Sequence, residues 1–202
     1  MNAERNKIKA GINNHFIGSW LMNEKNLNEI IDFFNSSHES HTAGKVGNGN
    51  IDKTKKDCIE LLINPREIEE KKLEFLKNFL SEIKNCFVDY TSQWDYLDSN
   101  WNKMYIGSVL IQKFLASGHH TEYHCDRQNI NSSHKSLSWI TFLNNIEENE
   151  GLMDFKYFEC SIKPKKGLTL MWPSDWTHLH RQNLLKSQDK FIIKGNIQFI
   201  DI

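Results

Sequence analysis

The chain has 202 residues, 39% hydrophobic and 25% charged, enough for one well-buried core, and it is read as a single domain over 1–202. Its 25 Lys and Arg nearly cancel its 26 Asp and Glu, giving a formal charge of −1 and no basic footprint for nucleic acid. No apolar run approaches the ~20 residues of a membrane span, and the N-terminal stretch lacks the apolar centre of a signal peptide, so a soluble, cytoplasmic protein is expected.

In chain order, Leu27, Ile30, Ile31 and Phe34 fall at i, i+3, i+4 and i+7 and predict an amphipathic helix. From Ser36 to Lys56 the sequence is polar and rich in Gly and Asn without a sustained period, which predicts a long loop of the kind that serves as a lid. Asn64-Pro65-Arg66-Glu67 carries a capping box with proline at the first helical position, and one helix is expected from there to about Phe87. Phe75, Leu76, Phe79, Leu80, Ile83, Cys86 and Phe87 would form its apolar face.

Residues 1–100 thus read as helical support with a long loop, and 101–202 as a β core. Strands are expected at Tyr105–Phe114, Leu137–Leu143, Asp154–Ile162, Leu168–Trp172 and Phe191–Ile200, separated by turn-forming segments. Short strands with no helical pattern between them argue for an antiparallel sandwich or jelly roll, making the chain mainly β with supporting helices. The four cysteines are widely spaced and read as free thiols.

Six of the nine histidines lie between 119 and 180. His124 and Asp126 flank Cys125 in an extended stretch, where residues two apart share a face and can converge on one ion. A second cluster, MWPSDWTHLHRQN, holds His178 and His180. Two histidines and a carboxylate leave three metal positions open, which suits Fe(II) binding a chelating cosubstrate and O₂. The plainer alternative makes His178 and His180 aromatic-cluster or surface residues beside Trp172 and Trp176.

The stretch from Tyr105 to Phe199 resembles the core of the Fe(II)/2-oxoglutarate-dependent dioxygenases, in particular the prolyl-4-hydroxylase-like branch with its bacterial and phage members. IQKFLASGHHTEYHCD resembles the family's strand, glycine turn and H-x-D; LSWITFLNN followed by Glu150-Gly151 resembles its next strand and acidic loop; IKPKKGLTLMWP resembles the segment leading into the distal histidine. Lys190, ten residues after His180, falls where the family places the residue that binds the far carboxylate of 2-oxoglutarate.

The resemblance implies a double-stranded β-helix (jelly roll) flanked by N-terminal helices, with His124, Asp126 and His180 as iron ligands and catalytic centre. His180 is favoured over His178 because it sets the better offset to Lys190. The implied cofactors are Fe(II), 2-oxoglutarate and O₂, with ascorbate an optional addition, and the implied activity is hydroxylation of a C–H bond. A prolyl residue in a peptide is the leading target, ahead of a small molecule; the oligomeric state stays open. Relatives often use tyrosine hydroxyls near the cosubstrate, but the comparable positions are Phe114 and Phe142, so either another donor, Tyr105, Ser138 or Thr141, replaces them or the anchor is weaker. Arg181 reads equally as a carboxylate holder or a surface salt bridge; Trp172 and Trp176 are expected to wall the barrel, and Cys125 to point away from the metal. Two competing readings are a jelly-roll binding module with a vestigial metal site and a zinc site built from His120 and His124, the latter opposed by Gly118 and the strand context.

Overall fold

The computed structural model describes residues 5–199, apart from 9, 12–14, 48, 100–102 and 148. Strand β1 (Gly18–Leu21) precedes helix α1 (Leu27–Ser36), which buries Leu27, Ile30 and Phe34 as the periodicity predicts. Strands β2 (Thr42–Ala43), β3 (Lys56–Asp57) and β4 (Ile59–Ile63) follow, then helices α2 (Pro65–Glu70), α3 (Glu74–Thr91) and α4 (Asp95–Asp98). The rest is β: β5 (Met104–Phe114), β6 (His119–His124), β7 (Lys135–Phe142), β8 (Met153–Phe155), β9 (Cys160–Ile162), β10 (Leu168–Pro173), β11 (His180–Gln182) and β12 (Lys190–Phe199).

The strands form two antiparallel sheets, ordered β1-β10-β7-β12-β5-β4-β2 and β3-β6-β11-β8-β9, stacked as a jelly roll. Strand alternation divides the large sheet's side chains between two cores. One face carries Val109, Ile111, Trp139, Ile193 and Ile197, which pack against Leu76, Phe79 and Ile83 of α3 and against α1. The other carries Phe114, Ile140, Phe142, Leu170 and Ile192, which meet Met153, Phe155, Cys160 and Ile162 of the small sheet. The functional residues lie within this second layer.

The structure corrects several expectations. The single helix to Phe87 is two, because Lys72 takes a positive φ of 51° and the Leu73 N–H reaches back to Ile68 O, closing α2 in a Schellman turn. The predicted capping box at Asn64 and Glu67 is present. The expected strand Asp154–Ile162 is a hairpin, β8 turning through Lys156–Glu159 into β9. The expected loop from Ser36 to Lys56 carries short strands at both ends, and β1–β4 place residues from the first hundred in both sheets. At the end of β12, Ile200 lies outside the described residues. All four cysteines are free and buried, and no described helix is long and apolar enough to cross a membrane.

Candidate metal centre and its cavity

His124 ends β6, Asp126 follows two residues later, and His180 opens β11, which pairs with β6 so that His180 sits opposite His124. One ligand atom from each of these three lies within 4.8 Å of the other two. The His124 Nδ1–H donates to Glu122 O at 3.0 Å and the His180 Nδ1–H to His178 O at 3.1 Å. Since a carbonyl can only accept, both rings are fixed with Nε2 as the free lone pair, the tautomer a metal requires. Burial pushes His124 well below its ordinary pKa, and His180 down to about 4. Both rings are therefore neutral and ready to coordinate at pH 7.

Asp126 is held on both oxygens. Ser138 Oγ donates to Oδ2 at 2.6 Å, Asn196 Nδ2 to the same oxygen at 3.1 Å, and Lys194 Nζ lies 3.3 Å from Oδ1. Burial alone would raise this carboxyl, but Lys194, then the two histidines and Lys135, outweigh it and hold Asp126 below the usual range. His120 stacks on His124 with centroids 3.8 Å apart, because two residues of β11 span four of β6 and the bulge folds His120 back onto its neighbour. Burial lowers His120 to about 2, so it is a neutral plate behind His124. Stacked face to face, these two rings do not form the zinc pair considered from sequence.

His178 is committed elsewhere: its Nε2–H donates to His15 O at 3.0 Å, its other nitrogen meets Thr177 Oγ1 at 2.9 Å, and Phe158 packs on its ring. Arg181 faces outward, 3.1 Å from Asp154 and over the Tyr123 ring, as a surface salt bridge. Trp172 walls the interior edge-on to His180, whereas Trp176 is 67% exposed, away from the barrel wall expected of it. Cys125 turns its thiol to Arg127 O.

Lys190 opens β12 opposite Phe114 and is fully buried, its Nζ donating to Gly151 O at 3.0 Å and lying over the Phe114 ring. It has no carboxylate within 4.0 Å among the described residues; burial lowers its pKa to about 7, with Cys58 and Glu150 pulling the other way. Gly151 is required here: its φ is +57°, and a Cβ would come within 2.7 Å of Leu185 and 3.3 Å of Lys190 Nζ.

Neither donor assigned beside Lys190 is near it. Tyr105 is half-exposed at the opposite end of β5, nine residues or about 30 Å of strand from Phe114. Thr141 points to the helix side between Trp139 and Leu143, its hydroxyl bonded to Thr169 at 2.7 Å. Ser138 serves Asp126 instead. The residue that sequence reasoning missed is Gln182. It shares the inward face of β11 with His180, lies opposite Met153, and is 4% exposed with Oε1 lacking a hydrogen-bond partner. The chain runs on from Gln182 to Leu185, which lies beside Gly151 and Lys190. Only its place two residues after His180 could have signalled it.

In front of His124 and Asp126 opens a cavity of about 920 Å³, walled in part by Lys45, Val46 and Gly47 of the long loop and by Lys135, Lys194 and Asn196 of the large sheet.

No family model and no curated protein matches the chain. Solved structures do. A viral collagen prolyl hydroxylase from Paramecium bursaria Chlorella virus-1, in complex with 2-oxoglutarate, is 16% identical over 93% of this chain and 98% of its own, with a TM-score of 0.61. A Pseudomonas putida prolyl-4-hydroxylase is 12% identical over 93% and 95%, at 0.68. A Trichoplax adhaerens prolyl hydroxylase in complex with a peptide fragment of the hypoxia inducible factor oxygen degradation domain is 11% identical over 92% and 84%, at 0.67. The likeness shows the fold, the one shared by prolyl 4-hydroxylases and 2-oxoglutarate/Fe(II) oxygenases.

Proposed function

We propose that the chain is an Fe(II)- and 2-oxoglutarate-dependent oxygenase that hydroxylates a C–H bond, with a prolyl residue of a peptide as its target. The observation that carries this reading is the convergence of His124, Asp126 and His180 with both Nδ1 atoms already occupied. The donor set suits iron: two neutral imidazoles and one ionised carboxylate on one side, cavity on the other. A second observation suits the cosubstrate, because a fully buried lysine without a carboxylate partner among the described residues asks for an acidic guest.

When bound, iron and 2-oxoglutarate supply the oxidising chemistry, yielding succinate, CO₂ and an oxidised substrate. The chain's own residues bind and orient. His124 and His180 offer Nε2, and His120 holds the plane of the first ring. Ser138, Asn196 and Lys194 fix the rotation of Asp126. Lys190 would take the far carboxylate of 2-oxoglutarate, and Phe114, Phe142 and Ile192 keep water out. The peptidyl-proline target is supported by the neighbours of this fold, one of which carries a peptide.

The test is anaerobic addition of Fe(II), then 2-oxoglutarate, to the purified chain. A visible charge-transfer band that needs both is expected. With O₂ and ascorbate, proline-containing peptides should gain one oxygen. No band from folded protein would favour a non-catalytic jelly-roll module; a band with succinate production but no oxidised peptide would move the target to another compound.

A further inference from the structure

We propose that Lys135 and Lys194 form an acid-binding subsite at the mouth of the cavity, so that the substrate carries an anionic group close to the C–H bond that is oxidised. The inference rests on the oxygenase reading and names the substrate class of that site.

In a chain of net charge −1, four lysines line this cavity: Lys45, Lys56, Lys135 and Lys194. The carboxylates lining it are Asp126 and Glu122. Lys56 is consumed by Glu60 at 2.5 Å, both nearly buried, and Glu122 turns to Lys55 at 3.0 Å. Lys135 and Lys194 are different. The register shift between Ile197 and Gln198 places Lys135 opposite Gln198, on the cavity side with Ser138 and Asn196 rather than on the helix side. There Lys135 is half-buried, with no ion pair and no hydrogen-bond partner for its ammonium among the described residues. Burial depresses its pKa, the mark of a cation whose lost hydration has not been replaced.

Lys194 faces Asp126, but a divalent ion held by that carboxylate would take over its charge. With the ion bound, Lys135 and Lys194 would both line the cavity with no anion among the described residues to pair with them. The cosubstrate does not supply that anion. Lys190, its proposed anchor, is four residues earlier on the same face of β12, about 13 Å from Lys194 along the strand, and is fully buried away from the lining of the cavity. The remaining wall fits a polar head as well: Asn131, Ser132, Asn196 and Gln128 offer amides and a hydroxyl, and among the described lining residues Tyr123 is the single phenyl ring.

The test is isothermal titration of the full chain, anaerobic and loaded with Fe(II) and 2-oxoglutarate, the charge-transfer band serving as the check on loading. Two matched pairs are used: amidated Gly-Pro-Glu against amidated Gly-Pro-Gln, and N-acetylproline against its amide. In at least one pair the acid should bind about tenfold or more tighter, the equivalent of one charge-assisted hydrogen bond in a half-dry site. The pair that shows it says whether the acid belongs to a peptide side chain or to a free small molecule. Inorganic phosphate should compete with the acid. Lys135→Glu should abolish the preference and turn it toward amidated Gly-Pro-Lys; if that variant does not fold, Lys135→Gln should at least erase it. Equal affinity within both pairs with the band present overturns the subsite and leaves the oxygenase reading standing, as does a preference that survives Lys135→Glu. No band from folded protein overturns both.

Discussion

At the scale of single residues, the centre depends on which ring nitrogens are free. His180 has Nδ1 tied to a carbonyl and Nε2 open, while both nitrogens of His178 are engaged by Thr177 and His15. His180→Ala should therefore abolish tight Fe(II) binding. His178→Ala should keep it and cost about 1–3 kcal/mol in stability for the two lost hydrogen bonds. Anaerobic metal titration of both variants checks this, and the reverse pattern would exchange the roles. Lys190 invites a pH test. Its folded pKa of about 7 lies below the ordinary lysine value of 10.5, so between those two pH values the unfolded chain holds a proton that the folded chain has released. Stability should rise with pH through that window and show no Lys190 contribution to the slope below it, where both states are protonated. Lys190→Met should flatten the rise, leave the protein more stable near neutrality, and weaken 2-oxoglutarate by about 2–5 kcal/mol, since one partner of a buried pair is gone. Thermal melts from pH 6 to 10 with cosubstrate titrations read both effects; an unchanged slope would mean that the lysine is not held this way.

At the scale of elements, α3 and the small sheet do separate work. Helix α3 was legible because its apolar positions repeat at helical spacing, and that periodicity is local. The break at Lys72 was not, since the Schellman turn uses a lysine where glycine is the usual sign. Strand β11 is only three residues long, too short for any period, yet it delivers both His180 and Gln182. Phe79 is 1% exposed and packs 6.1 Å from the Trp139 ring, on the face of the large sheet opposite the centre. Phe79→Ala should cost about 3–5 kcal/mol in chemical denaturation through the cavity it leaves. Fe(II) affinity of the folded fraction should barely change, because the helix layer supports the sheet from behind; a proportional loss of metal binding would show that the layers are coupled.

At the scale of the whole molecule, the two sheets enclose polar groups that are incompletely paired among the described residues. The two Nε2 atoms have no hydrogen-bond partner among the described residues, and Lys190, whose Nζ reaches Gly151 O, is buried without a counter-ion, a cost to the fold that bound ligands would offset. Fe(II) and 2-oxoglutarate together should therefore raise the melting temperature. Each contributes about 2.7 kcal/mol when present at a hundred times its dissociation constant. Differential scanning fluorimetry under argon, with and without chelator, measures this. No shift from either ligand in folded protein would remove both from the site.

The sequence by itself determined the parts that depend on near neighbours: the H-x-D of His124 and Asp126, the two candidates for a distal histidine, the amphipathic helices and the alternation of the long strands. It also located Lys190 through its offset from His180, although only by likeness to a family. What required tertiary structure was everything that depends on which residues face each other across sheets. The short helical turn at Trp176–His178 takes His178 off the strand and leaves His180 on it. The bulge in β6 folds His120 onto His124, and the register shift between β7 and β12 turns Lys135 toward the cavity. Thr141 and Tyr105 looked as suitable as any hydroxyl in the sequence, but alternation sent one to the helix side and strand length carried the other away. Such facings are set by long-range pairing, where one extra residue reverses every side chain beyond it, and no local pattern records where that residue falls.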